Sequence, residues 1–136
     1  MKNHYTMDEF IEIIRRLRAE DGCPWDREQT HESLKKCLTD ECDEVIEAID
    51  NKDYENLLEE LGDVLLQVVM HSQIASERGD FNFDDVVTCV TRKMVRRHPH
   101  VFGKEESETG DATTWEEIKA LEKKLKKKAS QTSKNP

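Results

Sequence analysis

Glycine and proline are scarce in this chain, five and three in 136 residues. Such a sequence has little turn chemistry to spend on strands and hairpins, and no useful length of it alternates with period two, so a β-sandwich or barrel is excluded. Nowhere do about 20 apolar residues run together, which excludes a membrane-spanning helix. The opening residues MKNHYTMDEF carry no apolar signal-type region, so a cytoplasmic location is expected. The four cysteines, Cys23, Cys37, Cys42 and Cys89, form no CxxC pair, which argues against zinc and for buried free thiols. There is no glycine-rich phosphate loop, no HExxH and no Ser-His-Asp order.

Charge is abundant. Charged residues make up 38% and hydrophobic residues 35%, a balance suited to helices with wide solvated faces. The net charge of −9 is uneven: residues 119–136 hold seven Lys against one Glu, leaving −15 on the rest. An acidic body is a poor nucleic-acid ligand, and the Lys-rich end is expected to be a fraying helix with a polar tail over 129–136. Apolar periodicity predicts helices over 7–20, 31–50, 54–78 and 83–97, with a last one in WEEIKALEKKLKKK. Thr6 and Glu9 form a capping-box pattern, 23–31 reads as a loop, and HPHVFG and KEESETGDA as a long loop. The expected fold is all-α, one domain over 1–128 built around an antiparallel acidic hairpin.

That hairpin is the chemical centre. Glu41/Glu44 and Glu60/Asp63 are each spaced i, i+3, so each pair shares one helix face. Between them lies IDNKDYEN, a polar break with turn-type residues. With a tight turn near Lys52, Glu44 opposes Glu60 and Glu41 opposes Asp63, all about 12 Å from the turn at about 1.5 Å rise per residue. The acids border apolar stripes formed by Leu38, Cys42, Val45, Ile46 and Ile49 and by Leu57, Leu61, Val64, Leu65 and Val68. Four clustered carboxylates at a core edge must protonate or hold cations, and oxygen ligands of this kind suit Mg²⁺ or Mn²⁺. The surplus acids Asp40, Asp43, Glu47 and Glu59 fit a solvated helix face.

RKMVRRHPH at 92–100 is the dense basic run of the acidic body, with Lys93, Arg96 and Arg97 on one face. Cations there complement a helix C-terminus, and beside a metal they also make a phosphate site. Trp25 and Trp115 either staple loops to the core or stack on a base; Lys119, four residues after Trp115, would approach a ligand with it. His71, His98 and His100 have no metal-ligand spacing with the acids and read as structural or surface.

CPWDREQTHESL, Glu41-x-x-Glu44, Glu60-Leu61-Gly62-Asp63 and Lys93 to RRHPHVFG, in that order, resemble the MazG-type nucleoside triphosphate pyrophosphohydrolases of the all-α NTP pyrophosphohydrolase superfamily. The resemblance covers about residues 7–128. It implies a helical protomer that dimerises, or forms a higher homo-oligomer, to complete a four-helix core. It also implies hydrolysis of NTPs or dNTPs to monophosphate and pyrophosphate, and Glu41, Glu44, Glu60 and Asp63 as Mg²⁺ ligands. Lys93 and Arg97 match phosphate-facing positions, Trp115 and Lys119 a substrate-side pair, and Trp25 an aromatic near the base. One departure is Asp40, where the family often has Glu.

The expected chemistry is in-line attack of water at the α-phosphorus, with Glu41 or Glu44 orienting or deprotonating it. Lys93 and Arg97, with Arg96 beside them, would stabilise the departing pyrophosphate. The alternatives are a selective dUTP- or dCTP-type pyrophosphatase, a metal-dependent nucleotide-binding module with weak catalysis, and an acidic scaffold for a basic protein. No nucleic-acid or membrane partner is expected.

Overall fold

The computed structural model describes residues 1–103, 119–120 and 122–127. Among these it is all-helical: α1 (Met7–Leu17), α2 (Pro24–Glu28), α3 (Lys35–Asp50), α4 (Tyr54–Arg78), α5 (Phe83–Arg97) and α6 (Pro99–Phe102). Residues 119–120 and 122–127 are also helical. None of the described helices is long and apolar enough to cross a membrane. Trp115, the KEESETGDA segment and the tail at 129–136 lie outside the described residues. The chain divides into two compact units, 1–86 and 87–136.

In the first unit α4 is the axis, packing against α3 and α1. The α3–α4 turn is centred where the sequence placed it. α3 ends at Asp50, Lys52 takes a left-handed φ of 53°, and Asp53 caps α4 through a bond from the Asn56 amide at 3.2 Å. Gly79, with φ 80°, closes the other end of α4 in the left-handed conformation that favours glycine. Thr6 and Glu9 form the capping box of α1.

Four features differ from the periodicity. α1 stops at Leu17 instead of 20, because the chain doubles back there: Cys23 N–H donates to Leu17 O at 2.8 Å. A Cβ on Gly22 would lie 2.3 Å from that same carbonyl, so only glycine admits the approach. Within the expected loop, Pro24 starts the one-turn α2, where its missing N–H costs nothing. α3 begins at Lys35, four residues late, since Thr30 and Ser33 exchange side-chain and backbone bonds in a turn. Pro99 likewise opens the short α6 inside the expected HPHVFG loop.

The core is Ile14, Leu34, Val69, Met70 and Ile74, flanked by Met7, Phe10, Ile11, Cys37, Leu66 and Phe83. This corrects the expected packing. Leu38, Ile46 and Ile49 on α3 and Leu61, Leu65 and Val68 on α4 are exposed, Ile46 at 56% and Leu61 at 51%. The hairpin closes instead on lines rotated by roughly a quarter turn at about 100° per residue, including Leu34 at the N-cap of α3, Glu41 and Ala48 on α3, and Glu60, Gln67 and Met70 on α4. The cysteines are free, but Cys42 and Cys89 are exposed, against the expectation of buried thiols, because they lie on faces the described residues do not cover.

Two polar contacts fasten the loop before α3. Arg18, its side chain 7% exposed, donates from Nη1 to the carbonyls of Asp26 (2.5 Å) and Gln29 (3.0 Å) and from Nε to Glu77 on α4 at 2.8 Å. His31 and His71 bring their Nδ1 atoms to 2.8 Å with rings stacked, so one donates and the other accepts. His71 has its pKa lowered by burial and then by His31. Arg18→Ala removes the anchor of both carbonyls and should cost about 2 kcal/mol, by analogy with hydrogen bonds to buried charged groups. Urea unfolding would check this, and unchanged stability would show that the loop is held by other contacts.

Candidate functional site

The hairpin turn decides the site. With Lys52 at its apex, Glu41 and Glu44 on α3 are carried opposite Asp63 and Glu60 on α4. One carboxylate oxygen from each of the four lies within 4.8 Å of the others. Their burial is unequal: Glu60 is 9% exposed, Glu41 and Asp63 are half-buried, and Glu44 is exposed. Thus the cluster opens at Glu44 and is roofed at Glu60.

Like charges at this separation oppose joint ionisation. Glu60 has its pKa pushed up to about 7, first by a hydrogen bond shared with Glu44, then by burial and the charges of Glu44, Asp63 and Glu41. Glu41 is raised as well, by burial first and then by Glu44 and Asp63. Oε2 of each of Glu41 and Glu60 is buried without a hydrogen-bond partner. Buried acceptors in that state want a cation or a donor. Four carboxylates, two orphaned inner oxygens and one open side fit a hard divalent ion that still has coordination room for other ligands.

The neighbouring acids behave differently. Asp40, the departure from the family pattern, pairs outward with Lys36 at 2.7 Å. Its shorter side chain therefore serves the solvated face of α3.

The other expected site residues are placed as follows. Trp25 is on α2, 58% exposed, with its backbone held through the Gln29 side chain at 2.9 Å. Lys93, Arg96 and Arg97 are on α5 in the second unit, all half-buried. Lys119 is exposed on the helical residues 119–120. The structure brings the four acids together; Arg96 and Arg97 meet a carboxylate that sequence reasoning had missed, Glu122. Glu122 is the one acid in the Lys-rich 119–136, and that isolation was the available signal. Gln67, 7% exposed with a buried unpartnered Oε1, was also missed; its seven-residue spacing from Glu60 puts both on one face of α4.

With that geometry in hand, similarity to known proteins is informative. The MazG nucleotide pyrophosphohydrolase domain model matches residues 29–102, which contain all four acids and the basic run. The chain belongs to the MazG family. It is 53% identical over 129 residues to the nucleoside triphosphate pyrophosphohydrolase/pyrophosphatase MazG of Thermotoga maritima, covering 95% of this chain and 50% of that protein. It is 42% identical over 123 residues to the nucleoside triphosphate pyrophosphohydrolase of Escherichia coli K12, covering 88% and 47%. The chain thus spans about half the length of these MazG relatives. A crystal structure of a mazG-related protein from Thermotoga maritima superposes with a TM-score of 0.63 at 30% identity, covering 89% of this chain and 99% of that one.

The raised carboxyl pKa values give a signed expectation. A carboxyl raised in the folded state contributes stability at low pH that is lost as pH rises from about 4.5 through about 7. Without divalent metal the protein should therefore melt lower at pH 8 than at pH 5.5. Mg²⁺ should restore the loss mainly at the higher pH, and Glu60→Gln should raise the metal-free melting temperature at pH 8 while weakening the Mg²⁺ response. A melting temperature indifferent to Mg²⁺ at pH 8 would count against the cluster as a metal site.

Proposed function

We propose that this MazG-family protein hydrolyses nucleoside triphosphates, NTP or dNTP, to the monophosphate and pyrophosphate with a divalent cation, Mg²⁺ or Mn²⁺, as cofactor. The observation that carries the reading is the carboxylate cluster with its two orphaned inner oxygens. Family membership and the names of the relatives support the substrate class. Glu41, Glu44, Glu60 and Asp63 would hold the cation, which when bound supplies positive charge to polarise the phosphates and acidify water.

The chain's own groups have separate tasks. Glu44 and Glu41 lie on the same face of α3, and Glu44 on the open side is the better placed to orient water for in-line attack and take its proton. Lys93, with Arg96 and Arg97, would stabilise charge on the departing pyrophosphate, since phosphoryl transfer is helped chiefly by positioning and electrostatics. Trp25, Trp115 and Lys119 would face the nucleoside and its phosphates. The cellular role proposed with this activity is nucleotide-pool housekeeping in the cytoplasm.

A second copy of the chain is the proposed cover for the outward apolar stripe. Leu58 is 77%, Ile46 56%, Ile49 52% and Leu61 51% exposed, and together they span both hairpin helices. A monomer rarely leaves so continuous an apolar face in water. Sedimentation should give a dimer or larger assembly, and Leu61→Asp should shift it toward monomer. A monodisperse wild-type monomer would refute this.

Pyrophosphate release from a panel of NTPs and dNTPs, with Mg²⁺, Mn²⁺ and EDTA, tests the activity. Release should require metal. Glu44→Ala and Asp63→Ala should each lower it by about 100-fold or more, as expected on losing general-base or metal-ion assistance, with helicity retained. Strong preference for dUTP or dCTP would narrow the substrate. Metal binding without release from any nucleotide would favour a nucleotide-binding module instead.

A further inference from the structure

One turn beyond the acid cluster, on the buried face of α4, stands Gln67. It is 7% exposed, and its Oε1 is buried with no hydrogen-bond partner. Two other side-chain atoms share that condition: Oε2 of Glu41 across the hairpin, and Nε2 of His71, four residues further along α4.

Helix geometry directs these three side chains toward one another. Glu41 and Asp63 meet in the cluster, and Gln67 follows Asp63 by four residues, so it lies roughly 6 Å further from the Lys52 turn along the helix axis. Long helical side chains lean toward the N-terminus of their own helix. Because α3 and α4 run antiparallel, Glu41 leans away from the turn and Gln67 leans toward it. His71, at i+4 on the same face, leans back over Gln67.

An apolar side chain at this position would leave no polar atom unsatisfied. What a carboxamide adds is a donor and an acceptor in one group. A cation in the cluster takes one oxygen from each acid, which leaves Glu41 a second oxygen for a donor to hold. His71 has its pKa lowered by burial and then by His31, which favours a neutral ring with a single N–H. When its Nδ1 accepts from His31 Nδ1, 2.8 Å away, that N–H sits on Nε2.

We infer that Gln67 is a positioning residue for the cation site. Its Nε2 donates to the free oxygen of Glu41 and its Oε1 accepts from His71 Nε2, directly or through one bridging water. The Glu41 carboxylate is thereby tied through His71 to His31 and the loop before α3. This rests on the cation reading of the proposed function. Hydrogen bonds of this kind hold metal ligands in orientation, and losing one typically costs about 10- to 100-fold in metal affinity or activity.

The test uses the full chain as wild type, Gln67→Met, His71→Asn and the Gln67→Met/His71→Asn double variant. The readouts are Mn²⁺ affinity by electron paramagnetic resonance, metal-free melting temperature, and the Mg²⁺ concentration that gives half-maximal pyrophosphate release. Gln67→Met keeps the volume and removes both polar ends, so its metal-free melting temperature should hold or rise. Its Mn²⁺ affinity should fall about tenfold and its half-maximal Mg²⁺ rise by about as much, with kcat at saturating Mg²⁺ changed less than about threefold. His71→Asn keeps an acceptor for His31 but deletes the Nε2 donor, and should weaken Mn²⁺ in the same direction by less. The double variant should be no worse than Gln67→Met, as for groups acting in one chain. His71→Asn carries the test if Gln67→Met fails to fold. Unchanged Mn²⁺ affinity in a folded Gln67→Met, with or without a lower melting temperature, tighter Mn²⁺ binding, or additive losses in the double variant would each overturn the inference. A wild type that binds no Mn²⁺ would sink the cation reading and this inference together. One that binds Mn²⁺ but releases no pyrophosphate would refute hydrolysis alone, while the affinities still decide Gln67.

Discussion

Electrostatic repulsion among Glu41, Glu44, Glu60 and Asp63 is the constraint around which the first unit is arranged. The turn at Lys52 forces the two acid pairs together, and the packing of α4 against α3 and α1 prevents them from relaxing apart. The cost appears as a Glu60 carboxyl titrating near neutrality and as two buried oxygens without partners. A hairpin with no use for cations would be better served by apolar side chains at these positions. That tension is what the divalent cation of the proposed function would relieve.

The same geometry accounts for the outward apolar face. Because the acids occupy the line along which α3 and α4 meet, Ile46, Ile49, Leu61 and Leu65 are turned away from the core of the single chain. The small core around Ile14, Leu34 and Val69 gathers at the end of the hairpin away from its turn, where α1 covers it. Arg18 and the His31–His71 stack then fasten the segment carrying Trp25 to α4. Arrangement of polar groups, more than apolar volume, fixes this part of the protein.

Much of this was legible from residue order. Matched i, i+3 acid pairs on either side of a polar break imply an antiparallel hairpin with four facing carboxylates, because helix rise and period are nearly invariant. The capping box at Thr6 and Glu9 and the stops at Asp50 and Arg78 are likewise local chemistry. Less legible were the short α2 and α6, each a single turn begun by a proline, since proline announces a break before it announces an N-terminus. Glu122 was hidden for another reason: its partners are 25 and 26 residues away, and no spacing rule links them.

The sequence by itself determined the helical class, the hairpin, the acid cluster and the family, all of which depend on periodicity or on ordered motifs. Only the tertiary structure decided which helix face is buried. On α3 and α4 an apolar stripe and an acidic line lie about a quarter turn apart, and a wheel cannot say which will face the neighbouring helix. Contacts with α1 and the loop before α3 chose the line containing Glu41 and Glu60, and left the stripe outward. They did so because burial is settled by what each element meets in space, and that is a property of the assembled chain.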